Sequence, residues 1–158
     1  MIAFEELAQR LAPDLAFLRV GDFFNLRARG AMVQLLQNRD ELRAEFMPSR
    51  PLSDEETRWL STAGWDAPRR GRRTWLHSYA WPLTAAAARD LAWNLAVAAR
   101  SFVAVDIAGF EYDARNYDTW EPITVSALAD LPRVADDNEP RSRGSAPYCH
   151  EGSPQTRR

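Results

Sequence analysis

The spacing of apolar residues predicts a helix near the start of the chain. Four of them recur three or four positions apart: Phe4, Leu7, Ala8 and Leu11. This is the period of an amphipathic helix, which Pro13 should end or interrupt.

Between residues 22 and 48 the period shortens to two, as in strands. Three alternating stretches follow one another there, and the turn-forming residues Gly30 and Asn38 separate them. Because the connections are this short, the sequence predicts an antiparallel meander of three strands.

A second helix and a fourth strand follow the meander. Ser53 and Glu56 have the spacing of a capping box, which predicts a helix over residues 54–63 with Gly64 as its C-terminal cap. Residues 74–81 predict the fourth strand, since they alternate in two sets: Trp75, His77 and Tyr79 against Leu76, Ser78 and Ala80.

The strongest helical pattern runs from the Thr84 cap to Phe102 and is rich in alanine. Beyond it the pattern leaves two choices open: residues 103–112 form a short fifth strand or an irregular return, and residues 125–131 form one helical turn or two. From Pro132 onward almost no large apolar residue occurs. We therefore predict one domain, residues 1–131, and a disordered tail, residues 132–158.

Together these elements predict an α+β fold, an antiparallel sheet of about four to five strands packed by helices in the order α-β-β-β-α-β-α. If the long helix covers the sheet face that bears Phe24, Leu42 and Leu76, the reverse face is rich in aromatic, Met and Arg side chains. Such a mixture is typical of binding surfaces. The alternative is that residues 103–131 fold back and cover this reverse face. The predicted partner-binding residues are Met32, Gln34, Leu36, Arg43, Glu45, Met47, Trp75, His77 and Tyr79.

Charge and composition narrow the class of partner. The net charge is −2 and the isoelectric point about 5.7, so no overall positive field attracts nucleic acid or an anionic membrane. No apolar run reaches the roughly 20 residues of a membrane span. We expect no signal peptide, and the single cysteine, Cys149, fits a cytoplasmic protein without disulfides.

The residue types that support catalysis or metal binding are few. Cys149 and His150 lie in the predicted tail, which leaves His77 as the one histidine on a predicted element. We interpret His77 as a polar strand residue that is hydrogen-bonded to Glu45 or to solvent. The alternative is that His77 acts as a general base in catalysis. No phosphate-binding, nucleophile-elbow or metalloprotease motif occurs. The sequence thus predicts a non-enzymatic protein without cofactor or metal.

Four arginines stand together between residues 69 and 73, close to Trp65 and Trp75. Basic residues beside aromatic ones can bind single-stranded nucleic acid. In an acidic protein, however, such a loop is more often a solvated turn or a site for an acidic partner. We therefore regard nucleic acid as the weaker interpretation.

Residues 41–100 have a recognisable order of motifs: a hairpin strand LRAEF, the segment LSDEETRWLSTAGWDAP, a tryptophan-bearing strand that ends in WP, and the helix ARDLAWNLAVAAR. This order resembles that of the actinobacterial domains related to type III secretion chaperones and to the YbjN-like group, called TY-Chap domains. The positions that carry the resemblance include Gln34, Glu45, Leu60, Gly64, Trp65, Pro68 and Trp75.

The resemblance implies a type III secretion chaperone-like layout and the binding of a peptide or protein client, often by dimers. We therefore predict a binding module that holds a client polypeptide on the exposed sheet face, with a homodimer as a further expectation. An immunity-like protein that blocks a toxin or enzyme would use a similar surface and is the alternative function. A small enzyme is the third, and it would need a pocket lined by His77, Glu45 and Arg43.

Overall fold

The computed structural model describes residues 4–102 and 109–134 of the chain. Its elements follow the predicted α+β order, with one strand added at the end. They are α1 (Phe4–Leu15), β1 (Asp22–Ala28), β2 (Ala31–Gln37), β3 (Glu41–Met47), α2 (Asp54–Thr62), β4 (Trp75–Ala80), α3 (Ala85–Phe102) and β5 (Glu111–Asn116), followed by a 3-10 helix (Ser126–Leu128).

The five strands form one antiparallel sheet in the order β4-β3-β2-β1-β5. The meander β1-β2-β3 is confirmed, and β4 and β5 are added at its two edges. Register fixes the side on which each residue lies, because directly paired residues share a face. Asn25, for example, lies opposite Gln34 on β2 and Asp113 on β5.

The core lies on one side of this sheet. Every second residue of β1, β2 and β3 is fully buried there against the apolar faces of α1 and α3. Leu11 and Leu15 contribute from α1, and Leu91 and Leu95 from α3. Each fully buried side chain of this size contributes roughly 1.5–3 kcal/mol through removal of apolar surface from water.

The local helix signals act as the sequence predicts. The Glu56 backbone N–H donates to the Ser53 hydroxyl at 3.2 Å, while the Ser53 N–H donates to the Glu56 carboxylate at 2.8 Å. At the start of α3, the Ala87 N–H donates to the Thr84 hydroxyl at 3.1 Å. Pro13 does not break α1, which continues for two more residues to Leu15.

The chain after α3 differs from the prediction. The fifth strand is Glu111–Asn116, so it overlaps the predicted residues 103–112 only at its start. Residues 125–131 contain one short helix, and Arg133 still pairs with Tyr112, two residues past the predicted domain end. The remainder of the predicted tail, residues 135–158, lies outside the described residues, as does the side chain of Phe102 on the predicted α3 stripe.

Candidate functional site

The side of the sheet opposite the helices carries the second set of alternating side chains, and we call it the open face. Pairing aligns these side chains into rows that cross the strands. The central row runs from β5 to β3 and is wholly polar: Asp113, Asn25, Gln34 and Glu45.

A more apolar row lies on each side of the central row. Phe23 and Leu36 form the middle of one, with Arg115 and Arg43 at its ends. Met32 and Met47 are paired in the other, next to Arg27. These last three residues also line a depression of about 490 Å³ that is open to solvent at the turn between β1 and β2. The face thus alternates apolar, polar and apolar bands along the strand direction.

The charges of the open face are largely paired with one another. Arg43 lies 2.9 Å from Glu41 and 3.8 Å from Glu45, and Arg115 lies 2.9 Å from Asp113. The hydrogen bond from Arg43 lowers the pKa of Glu41, although burial opposes this effect. Since Arg43 and Arg115 each have a carboxylate neighbour, this part of the face presents hydrogen-bonding groups without a strong net field.

An exposed aromatic corner adjoins the open face. Trp120 packs edge-on against Phe23 at 6.3 Å and is 57% exposed, although its backbone φ is +60°, a value that bulky residues rarely adopt. The Asn116 side chain holds this turn by accepting from the N–H groups of Asp118 and Thr119. The sequence prediction missed Trp120, and the available signal was the turn-forming Asn-x-Asp pattern before it.

Six of the nine predicted site residues lie together on the open face: Met32, Gln34, Leu36, Arg43, Glu45 and Met47. The other three, Trp75, His77 and Tyr79, lie on the helix-covered side, opposite Phe46, Ala44 and Leu42. Their predicted position was wrong because both alternating sets of β4 contain apolar residues, so the pattern does not say which set faces inward.

His77 and Tyr79 belong instead to a polar joint between β4 and α3. The Tyr79 hydroxyl donates to Asp90 at 3.0 Å and accepts from Asn94 at 3.3 Å. The rings of His77 and Tyr79 stack at 4.3 Å, and Trp65 packs edge-on against His77 at 5.6 Å.

Burial lowers the pKa of His77, with the Asp90 and Asp66 carboxylates opposing it, and burial raises the pKa of Tyr79. His77 does not bond Glu45, because Glu45 pairs with Leu76 and lies on the open face, on the other side of the sheet. A catalytic pocket shared by His77, Glu45 and Arg43 is therefore incompatible with the register.

The arginines at 69, 70, 72 and 73 are exposed on the loop before β4. The tryptophans close to them in sequence, Trp65 and Trp75, are buried in the core. Because neither ring is available to stack on a base, this loop lacks the aromatic platform of a single-strand site.

Within the described ranges, 4–102 and 109–134, histidine, cysteine and acidic side chains nowhere gather in a group of three or more suited to a metal ion. The only cysteine, Cys149, and His150 lie outside those ranges. The described helices also include none with the length and hydrophobicity of a membrane span.

Comparison with known proteins gave one family. The family model TY-Chap3, described as T3SS (YopN, CesT) and YbjN peptide-binding chaperone 3, matches residues 3–135. Neither the curated proteins nor the solved structures include a match to this chain.

Proposed function

Since the chain belongs to the TY-Chap3 family of peptide-binding chaperones, we propose that it holds a client polypeptide on the open face of its sheet, without a chemical step. The resemblance seen in the sequence is thereby confirmed at the level of the family. The position of the client, the cytoplasm as its compartment and a homodimer as the working form are parts of the proposal.

The position proposed for the client depends on one observation. The open face brings together six predicted partner-binding residues that are only half-buried: Met32, Gln34, Leu36, Arg43, Glu45 and Met47. Thioether and aliphatic groups adapt to varied client side chains, and the polar groups between them can position the client by hydrogen bonds.

The course of the C-terminal segment also supports the proposal. After β5, Pro122 and Arg133 pair along the outer edge of that strand, and Ala127 and Leu128 join the core beside α1. Among the described residues of this segment, Trp120 contacts the open face at one corner, where it packs against the buried Phe23. In residues 109–131 the predicted alternative, in which residues 103–131 cover the face, is limited to this corner, since the six predicted residues of β2 and β3 stay half-buried.

A charge placed on the open face tests the proposal. We expect peptides selected by the wild-type protein from a random phage-displayed library to bind Met47→Glu at least about tenfold more weakly, because a carboxylate cannot be desolvated against apolar groups without loss. The matched control is Trp93→Glu, which puts the same charge at an exposed apolar residue of α3.

Isothermal titration calorimetry gives the affinities, and circular dichroism checks that both variants fold. Equal affinities of Met47→Glu and wild type would contradict the proposed site. Sedimentation equilibrium of both variants separates a client surface from a dimer surface, since Met47→Glu abolishes self-association if the open face is the contact between two copies.

A further inference from the structure

The two ends of the open face differ in charge. At the end where β3 stops, the sheet register places two connections: the turn between β1 and β2, and the loop that leads into β4. Several exposed arginines lie at or beside these connections, and we call this end of the face the arginine end. They are Arg27, Arg29, Arg69, Arg70, Arg72 and Arg73.

The opposite end, where β3 begins, carries mixed charges. Arg19 and Arg39 are exposed there together with Asp40, Asp118 and Glu121. The net charge of −2 for the whole chain therefore conceals a separation of charge along the strand direction. A peptide that lies along the strands meets a positive potential at one end of the face only.

The loop before β4 carries its arginines on a fixed base. Asp66 and Leu76 close the loop through two backbone hydrogen bonds of 2.7 and 3.1 Å. The residues next to them, Trp65 and Trp75, are buried in the core. Because both ends of the loop are held by the fold, a ligand does not have to order them when it binds.

A tight turn brings the arginines of this loop together. The Arg72 backbone N–H donates to the Arg69 carbonyl oxygen at 2.9 Å, and the φ of Gly71 is +84°, as at the third position of a type II turn. The Cα atoms at the two ends of such a turn lie within about 7 Å of each other. Like charges this close repel one another, and the carboxylates of a partner would relieve that repulsion.

Arg29 occupies a position that does not favour arginine. Arg29 and Gly30 form the two-residue connection between β1 and β2, with φ values of +48° and +81°. Two positive values are typical of a type I′ turn, in which asparagine or aspartate before glycine is preferred. Arg29 nevertheless lines the depression at this end, together with Arg27 and Met32. A residue in an unfavourable backbone conformation beside a depression indicates a role in binding.

The arginine end has guanidinium groups that the chain itself does not use. Glu111 lies opposite Arg27 on β5, so Arg27 has a carboxylate nearby. The side chains of Arg29, Arg69 and Arg70, in contrast, form no ion pair or hydrogen bond within residues 4–102 and 109–134. Since these three are exposed, an anionic ligand reaches them from solvent.

The groups between the two connections favour an acidic polypeptide over other anions. Met32 and Met47 are paired there and half-buried, and thioethers suit the apolar side chains of a peptide. A single-stranded nucleic acid needs rings on which its bases stack, but Trp65 and Trp75 are buried. An acidic chain as a whole also gives no long-range attraction to an anionic membrane.

From this we infer that the arginine end is a carboxylate-binding site, which selects client segments with Asp or Glu residues next to the apolar residue that contacts Met32 and Met47. The inference rests on the proposed function and specifies its ligand. The charge separation also orients the client, because its acidic residues bind at the end of the face where β3 stops.

Peptides that the wild-type protein selects from a random phage-displayed library test the inference. We expect Asp and Glu to be more frequent in them than in the unselected library. One selected peptide is then synthesised with its acidic residues and with glutamine in their place, both forms acetylated and amidated so that no terminal carboxylate contributes. In fluorescence anisotropy at low salt, the acidic form should bind about tenfold more tightly, as for several exposed ion pairs together, and added NaCl should reduce this preference.

Two sets of variants assign the preference to the arginine end. Arg29→Asn should reduce it severalfold and at the same time raise the urea midpoint, because asparagine suits the turn better. The double variant Arg69→Gln and Arg70→Gln should also reduce it severalfold without a change in circular dichroism, since both residues are exposed. The matched control is Arg39→Gln, which removes an exposed arginine from the turn at the opposite end and should leave the preference unchanged.

The outcomes separate this inference from the proposed function. No enrichment of acidic residues, equal binding of the two peptide forms, or an unchanged preference in both sets of variants would overturn the inference, while the loss of binding in Met47→Glu would still support the proposed function. If the protein selects no peptide, the proposed function fails and this inference fails with it. A single-stranded oligonucleotide or anionic vesicles that bind only while Arg69 and Arg70 are present, with no preference between the peptides, would assign the arginine end to phosphates and also overturn it.

Discussion

Gly64 follows Ala63, the C-cap of α2, with a backbone φ of +90°, and a side chain there would face the imidazole of His77. A Cβ at this position would lie 3.0 Å from the ring. The ring has little room to yield, because Tyr79 stacks on it at 4.3 Å and Trp65 packs edge-on against it at 5.6 Å. Glycine is thus needed here for two reasons, its conformational freedom and its lack of a side chain.

Gly71 offers a matched control for the first prediction, since its φ is +84° but nothing lies within 4 Å of an added Cβ. Gly71→Ala should cost about 1 kcal/mol of unfolding free energy from backbone strain alone. Gly64→Ala should cost about 2–3 kcal/mol, because the collision with His77 is added. Urea denaturation measures both, and equal losses would show that the imidazole moves aside without cost.

At the scale of the element, α2 depends on its first turn. Glu56 closes the capping box and also bonds Arg50 through both of its oxygens, at 2.6 and 2.9 Å. Hydrogen bonds from Arg50 and from the Ser53 backbone N–H lower the pKa of Glu56 from 4.5 to about 2. The box thus joins the loop after β3 to the start of the helix.

The lowered pKa predicts an acid-dependent loss of stability. A carboxylate whose pKa is lower in the folded state stabilises the fold above its unfolded pKa, and this stabilisation is lost as protons bind. For Glu56 the loss falls between about pH 4.5 and pH 2. Glu56→Gln should therefore flatten the decline of the thermal midpoint over this window.

Glu55→Gln is the control for this measurement, because it removes a charge from the same turn and leaves the bonds of Glu56 to Arg50 in place. Differential scanning calorimetry at several pH values gives the slopes. A decline in Glu56→Gln as steep as that of wild type would mean that other carboxylates account for the acid sensitivity.

At the scale of the whole molecule, the first described helix holds the last described segment. Asp14 of α1 accepts a hydrogen bond from the buried Ala127 backbone N–H at 2.7 Å, and Arg10 pairs with the exposed Asp130 at 2.9 Å. These contacts fix the path of the chain after β5, and with it the edge of the sheet and the corner formed by Trp120.

We expect the two contacts to differ in strength. Asp14→Ala should cost about 2 kcal/mol of unfolding free energy, because it leaves a buried N–H without its charged acceptor. Arg10→Ala should cost less than about 1 kcal/mol, since an exposed ion pair is screened by water and salt. Equilibrium denaturation in urea compares them, and a loss in Asp14→Ala no larger than in Arg10→Ala would contradict this account of the C-terminal segment.

The pattern of the sequence was sufficient for most elements of this fold. The switch from a period of three or four to a period of two located α1 and the meander, and Ser53 and Thr84 marked the starts of α2 and α3. These signals are local, because helix caps and alternation act through neighbours a few positions away. The six site residues on β2 and β3 follow from the same alternation.

The fifth strand was harder to find because its inward residues are Tyr112 and Ala114. Charged residues alternate with them at positions 111, 113 and 115, so the period of two is present in the sequence. Alanine is depleted in strands, however, and the segment qualifies as a strand mainly through its pairing with β1.

The amino-acid sequence by itself determined the three α-helices and the first four strands, and that one face of the sheet is apolar. The tertiary structure decided which of the two sets of β4 side chains faces the helices. Both sets of its alternating side chains are acceptable to a strand, and the choice depends on Asp90 and Asn94, which reach Tyr79 from α3, and on Trp65, which reaches His77. Partners this distant along the chain leave no trace in a local pattern, because they act only once the helices pack on the sheet.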